Sequence, residues 1–310
     1  MSKFVDSILG HAIGDAMGVP TEFCLREELL NKPVTRMVEF TRMGLPKGTW
    51  SDDTSMEIAT IESFIQNNRF DYDDIMNRWI DWINNNQYTA SGKTFDVGRT
   101  CLKAITRYTE GVKALECGAN NLDTNGNGSL MRILTIALYS YYKKLNNDSI
   151  ISLVNDISSL THAHDISKLG CYIYVKYINY LLYGLSKEEA YRCIQKEDYS
   201  SYSEESINVY KRILKDNIKD YSVRDIRSTG YIVDTLECSL WIIMNARDFK
   251  EAIIASTNIG GDTDTIGAIT GSIAGIIYGY NSIPKDWLED LQRRDYLINL
   301  ALEFEKKICI

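Results

Sequence analysis

Apolar residues recur at three- and four-residue spacing through long stretches of the chain, the pattern of helices that bury one face. Met56, Ala59, Ile61 and Phe64 mark one helix after Asp53, and Leu130, Ile133, Leu134, Ala137 and Leu138 mark another after Gly128. The same periodicity predicts helices over roughly 150–160, 167–182, 231–244 and 287–307. Only four prolines interrupt the chain, and no clear strand alternation is present. The expected fold is therefore all-α. The most apolar stretch, 266–280, is too short to span a membrane and follows directly on Asp262 and Asp264, so it reads as a buried helix.

Two of these helical stretches carry glycine at every fourth position: Gly10, Gly14 and Gly18 in one, and Gly267, Gly271, Gly275 and Gly279 in the other. On a helix this spacing forms a groove that lets a second backbone approach closely, at about 1 kcal/mol of helix propensity per glycine. A pair of close central helices is the expectation. The segment 199–227, rich in Ser, Tyr, Asp and Lys, reads as a surface excursion and not as a domain boundary. One domain over 1–310 follows.

Composition narrows the classes of function. Hydrophobic residues make up 45% and charged residues 25%, enough for a sizeable core. A formal charge of −8 disfavours an extended nucleic-acid or anionic-lipid surface while permitting a small basic pocket. Seven cysteines with no CxxC pair read as reduced thiols, mostly filling the core. Asp6 and Asp15 inside the apolar N-terminal stretch make a poor signal peptide, so a cytoplasmic protein is expected.

The strongest chemical signal is Gly48-Thr49-Trp50-Ser51-Asp52-Asp53-Thr54, adjacent carboxylates between hydroxyls at the start of an amphipathic helix. Helix capping accounts for one such acid. Two adjacent acids repel each other unless a cation lies between them, so capping and metal binding both stand for this motif alone. Asn258-Ile259-Gly260-Gly261-Asp262-Thr263-Asp264-Thr265 repeats the chemistry at the mouth of a glycine-faced helix. Together the clusters offer five or six hard oxygen ligands, which suits two Mg²⁺-like ions.

Other motifs are weaker. Asp123, Asn125, Asn127 and Gly128 match the first half of a calcium loop, but Leu134 stands where its bidentate acid belongs. Residues 125–129 are better read as a loop opening the next helix, whose N–H groups, with Arg132 nearby, could hold a phosphate. His162 and His164 lack a third zinc ligand, which favours a structural or ligand-contacting histidine. No nucleophile elbow accompanies the histidines, so covalent acyl chemistry is not expected.

The blocks Gly10 to Phe23, Gly48 to Thr54, Phe95 to Thr100, Gly126 to Ile133, Thr161-His162, Gly230 to Leu236 and Gly260 to Gly267, in this order and spacing, resemble the ADP-ribosylglycohydrolases, the family of the dinitrogenase reductase-activating glycohydrolase. The resemblance implies a single-domain orthogonal helical bundle with two Mg²⁺ ions, Mn²⁺ serving as a substitute, held by Ser51, Asp52, Asp53, Asp262, Asp264 and Thr265. It implies catalytic roles for Asp52, Asp53 and Glu22. It places Asp96 and Gly98 at a ribose, Gly126, Asn127, Gly128 and Ser129 at a diphosphate, and His162, Gly230 and Tyr231 near an adenosine. Ser51 stands where threonine is usual and keeps the hydroxyl; Arg99, beside the ribose segment, departs from the commonest pattern.

The implied activity is hydrolysis of the glycosidic bond between ADP-ribose and a modified target, through an oxocarbenium-like transition state. The implied partner is ADP-ribose or an ADP-ribosylated protein, met by a monomer without a membrane. Two alternatives accompany it: a hydrolase of another nucleotide-sugar, and a non-catalytic ADP-ribose reader or structural relative. Retention of all the acids favours catalysis.

Overall fold

The computed structural model describes residues 2–309 and is 67% helical, with no strand among the described residues. The helices are, in order, α1 (Lys3–Gly18), α2 (Arg26–Asn31), α3 (Asp52–Asn67), α4 (Tyr72–Asn85), α5 (Arg99–Thr109), α6 (Leu134–Tyr142), α7 (Asn147–Ser159) and α8 (Asp165–Leu182). There follow α9 (Lys187–Ile194), α10 (Glu204–Val209), α11 (Lys211–Lys215), α12 (Ile232–Asn245), α13 (Phe249–Thr257), α14 (Thr263–Tyr278), α15 (Lys285–Asp290) and α16 (Arg294–Cys309). Side chains placed as N-caps start many of them: Ser51 for α3, Asp71 for α4, Asn146 for α7 and Asp248 for α13.

α1 and α14 form the axis of the bundle. Residues Phe4 to Gly18 and Thr263 to Ile276 are buried throughout, which is why neither helix shows a strongly one-sided pattern. The expected glycine pairing is present. A Cβ added to Gly14 would lie 1.8 Å from the Gly267 carbonyl oxygen, and one on Gly271 would lie 2.0 Å from that of Gly10. The backbones touch where side chains would ordinarily separate them. This contact brings the C-terminal end of α1 against the N-terminal end of α14: a Cβ on Gly18 would meet Asp264 Cα at 2.4 Å.

Three expectations need correction. The segment 287–307 is not one helix: α15 ends at Asp290, and Arg293, in the left-handed region at φ 52°, turns the chain into α16. Leu291 and Leu297 are both buried on either side of that break, so apolar spacing alone hid it. The run beginning at Leu130 is a 3₁₀ segment, Asn127–Arg132, before α6 starts at Leu134. The segment 199–227 is no mere surface excursion, since Tyr199, Tyr202, Tyr210, Ile213, Leu214, Ile218 and Ile226 are buried. Its tyrosines bury their rings and satisfy their hydroxyls: Tyr210 donates to the Ile166 carbonyl at 2.8 Å and Tyr199 to that of Ile194 at 2.7 Å. One continuous core runs from Phe4 to Ile308, with a small satellite of Val19, Leu45 and Phe95 beneath the loops.

Candidate active site

The axis helices create the site by bringing two distant acid clusters to one end of the bundle. Ser51 caps α3, and Asp52 and Asp53 fill its first turn; Asp262 stands at the N-cap position of α14 without capping it, and Asp264 fills the first turn there. Thr265 Oγ1 reaches Asp53 Oδ2 at 3.4 Å, and Ser51 Oγ donates to the same oxygen at 3.0 Å. Oxygens of Asp15, Asp53 and Asp264 lie within 4.8 Å of one another, as do those of Glu22, Asp96 and Asp264. Asp264 is common to both groups.

Asp15 was not among the residues singled out from sequence. It projects from α1 to the start of α3, accepting from Ser51 N at 2.9 Å, Thr54 N at 3.1 Å and Thr54 Oγ1 at 2.6 Å. Nothing in the sequence set it apart, because α1 also carries Asp6, Ser7 and His11 as polar positions.

Electrostatics follow from this crowding. Burial, reinforced by repulsion from neighbouring acids, holds Asp52, Asp53 and Asp264 well above the usual carboxylate range. Burial likewise raises Asp15 to about 7, and burial with repulsion from Asp96 and Asp262 raises Glu22 to about 9. Asp53 Oδ1 is buried without a hydrogen-bond partner. An orphaned buried carboxylate oxygen amid mutually repelling acids is what a bound cation would resolve, and the donors present are all hard oxygens. The residues thus fit divalent cations of the Mg²⁺ type.

Above the acids opens a cleft of about 220 Å³. Glu22, Asp52, Asp96, Asp262 and Thr265 make up the acidic part of its lining, the floor, and Gly98, Gly126, Asn127, Gly128 and His162 another part, the wall. Two residues of its rim adopt left-handed backbone despite side chains, Asp96 at φ 54° and Phe23 at φ 59°. Each such conformation costs of order 1 kcal/mol and persists because its surroundings hold it. Phe23 is anchored by its N–H donating to Gly261 O at 2.7 Å, and its ring is 70% exposed at the mouth. Phe23, Arg99, Thr100, Cys101 and Met131 also line the cleft.

The remaining residues expected at the site sit one layer out. Gly230 and Tyr231 flank an isolated bridge between Tyr231 and Gly126, and Gly230 O accepts from Asn127 N at 3.0 Å. Asn127 Nδ2 in turn donates to Asp262 Oδ2 at 2.9 Å, so this loop orients an acid of the floor. Ser129 is fully buried and accepts from Cys171 Sγ at 3.4 Å, away from the cleft. Arg132 does not offer its guanidinium to a ligand, contrary to the expectation of a phosphate contact. It is fully buried, stacks 4.1 Å above Trp79 and spends its donors inside the protein.

Fold and site together define a helical bundle whose central helices end at a carboxylate- and hydroxyl-lined cleft, with the donor chemistry of a hard-metal site. The chain belongs to the ADP-ribosylglycohydrolase family, enzymes that hydrolyse ADP-ribose linkages: the family model matches residues 1–309. It is 32% identical over 304 residues to the ADP-ribosylarginine hydrolase Tri1 of Serratia proteamaculans, covering 97% of this chain and 78% of that protein. It is 28% identical to the ADP-ribosyl-[dinitrogen reductase] glycohydrolase of Rhodospirillum rubrum, covering 94% and 91% respectively. Among solved structures, an ADP-ribosylglycohydrolase-related protein complex superposes with a TM-score of 0.83 at 26% identity, over 99% of this chain and 98% of that one.

Proposed function

We propose that this protein is a divalent-cation-dependent hydrolase that releases ADP-ribose from arginine side chains of modified proteins. The observation that carries the proposal is the convergence of acids from four separate segments: Glu22, Asp52, Asp96 and Asp262 line one cleft, and Asp53 and Asp264 cluster with them. The choice of arginine rests on the two Tri1 relatives, from Serratia proteamaculans and Pseudomonas putida, at 32% and 30% identity over nearly the whole chain.

Ser51, Asp52, Asp53, Asp262, Asp264 and Thr265 would hold two Mg²⁺ ions, with Mn²⁺ as a substitute. Bound there, the ions supply Lewis-acid polarisation of ribose hydroxyls and of the attacking water. The protein's own groups do the rest. Asp96 and Glu22 present acceptors to the ribose diol, and Asp52 or Asp53 orients the water and takes its proton. The bond from the anomeric carbon to the guanidine nitrogen breaks as the bond to the water oxygen forms, and the proton that the carboxylate took from this water passes to the leaving nitrogen. Gly126 and Gly128, lacking side chains, let the wall approach a diphosphate closely. His162, kept neutral because burial and then the Arg132 charge push it down to about 3, offers an uncharged contact.

No helix among the described residues is long and apolar enough to cross a membrane. Free thiols at all seven cysteines suit a reducing compartment, and we assign the enzyme to the cytoplasm as a monomer. The decisive test incubates the protein with arginine-, serine- and nucleic-acid-linked ADP-ribose, with Mg²⁺ or with chelator, and measures free ADP-ribose. Cation-dependent, multiple-turnover release from arginine is expected. Binding of ADP-ribose without release from any substrate would replace the hydrolase with a reader.

A further inference from the structure

Arg132 is a buried guanidinium with no carboxylate within 4.0 Å among the described residues. Glu57, the acid whose charge bears on it, instead directs Oε1 to Thr135, accepting from its N–H and its hydroxyl at 2.6 Å each. Burying a cation without an ion pair is expensive, so its remaining contacts carry the weight of keeping it there. NH1 donates to Ile157 O at 3.4 Å and the plane stacks on Trp79, while the other two donors reach toward the wall of the cleft. Nε donates to Gly128 O at 3.0 Å, NH2 donates to Thr161 Oγ1 at 2.6 Å, and Thr161 Oγ1 lies 2.8 Å from His162 Nδ1.

The directions of these bonds are constrained. A guanidinium only donates, so the Thr161 oxygen accepts from Arg132 and its own proton is free to go to His162 Nδ1. When the Thr161 proton goes to Nδ1 and not to the neighbouring Cys101 thiol, the imidazole carries its own proton on Nε2, the ring atom that lies 3.5–3.6 Å from where Cβ atoms on Gly128 and Gly126 would stand. In that tautomer the donor nitrogen of His162 stands beside the two glycines that line the cleft.

We propose that Arg132 is a positioning residue, acting through Thr161 to fix the Nε2–H tautomer of His162 and through the Gly128 carbonyl to hold the loop beside it, so that the wall presents donors to an anionic ligand. This rests on the reading of ADP-ribose as that ligand, whereas the tautomer itself does not. The relay assigns binding, not bond cleavage, to Arg132: losing it raises KM and the dissociation constant and leaves kcat nearly unchanged.

The test combines long-range ¹H–¹⁵N spectra of the histidine rings, with His162 assigned by comparison to His162→Asn, and calorimetry with ADP-ribose. Wild type is expected to show neutral His162 protonated at Nε2. Thr161→Val keeps the shape but removes the relay; it is expected to mix the tautomers and weaken ADP-ribose binding about tenfold, the worth of one ordered hydrogen bond. Thr161→Ser is expected to restore both. A wild-type spectrum with the proton on Nδ1, or a folded Thr161→Val protein with unchanged tautomer and affinity, would overturn the proposal. Because the wild-type spectrum is itself decisive, failure of the valine variant to fold does not rescue the idea. Wild type that shows the Nε2–H tautomer yet binds no ADP-ribose would sink the proposed function while leaving the tautomer relay standing.

Discussion

Single residues divide here into those that hold charge and those that make room. Asp264 is shared by both clusters of close-set acids, so Asp264→Asn should cut ADP-ribose release roughly a hundredfold or more. The same change relieves a buried acid of its repulsive neighbours, and stability in urea without cations should stay within about 1 kcal/mol of wild type or rise. Near-normal turnover, or a collapse in stability, would contradict the role given to this acid. Gly128 illustrates room. A Cβ there would stand 2.8 Å from both Cys101 Sγ and His162 Cε1, so Gly128→Val forces the wall apart and should abolish ADP-ribose binding by calorimetry. The sequence raised this glycine only as part of a loop that could approach a phosphate; that its immediate obstacles are the Cys101 thiol and the His162 ring emerged only from the fold.

At the level of helices, the α1–α14 contact makes a quantitative prediction. Gly14→Val would drive a side chain into the Gly267 carbonyl, with backbone on both sides and nowhere to relax, and should destabilise the protein by about 3 kcal/mol or more in denaturant titrations. Gly184→Ala provides the contrast: open space surrounds it, but its φ of +88° should cost only about 1 kcal/mol. Equal losses at the two sites would mean the helix pair is not closely packed. This contact was legible because glycine at every fourth position of an apolar helix weakens that helix and is useful only where a second backbone fills the groove. The two acid clusters were legible for a similar reason, since capping needs only one acid at each helix start. Asp15 was not, because a single carboxylate in a helix resembles an ordinary polar position until α3 is seen to dock on it. The burial of Tyr199, Tyr202 and Tyr210 was hidden by their hydroxyls, which sequence patterns count as polar and the fold satisfies with distant partners. The break at Arg293 left no trace because both flanking helices turn apolar faces to the same core.

Taken as a whole, the molecule concentrates buried acids at one end of its axis, and this sets how its stability answers pH and cations. Asp15 at about 7 and Glu22 at about 9, with Asp52, Asp53 and Asp264 also raised, all titrate in the folded state above their ordinary values of 3.8 and 4.5, chiefly through burial. The folded protein therefore holds protons that the unfolded chain has lost. Stability from these groups is complete below the unfolded values and is lost as pH rises through the folded ones. His11 at about 4 and His162 at about 3 act in the opposite sense, but only below their ordinary 6.5. Above that pH the histidines no longer oppose them, and Glu57 and Glu237, each raised to about 7 by burial, and the buried Cys101, Cys171 and Cys238 thiols act in the same sense as the floor acids. Without divalent cations the melting temperature should fall steadily between about pH 6.5 and 9. Mg²⁺ binds the ionised carboxylates of the folded state and should reverse much of the fall, adding about 2.7 kcal/mol at a hundred times its dissociation constant. Thermal melts across this range, with Mg²⁺ or with chelator, check the prediction, and Asp264→Asn should lose most of the Mg²⁺-dependent increment. Identical pH profiles with and without Mg²⁺ in the wild-type protein would show that the acid floor stands without cations, and the hydrolytic mechanism proposed above would lose its metal.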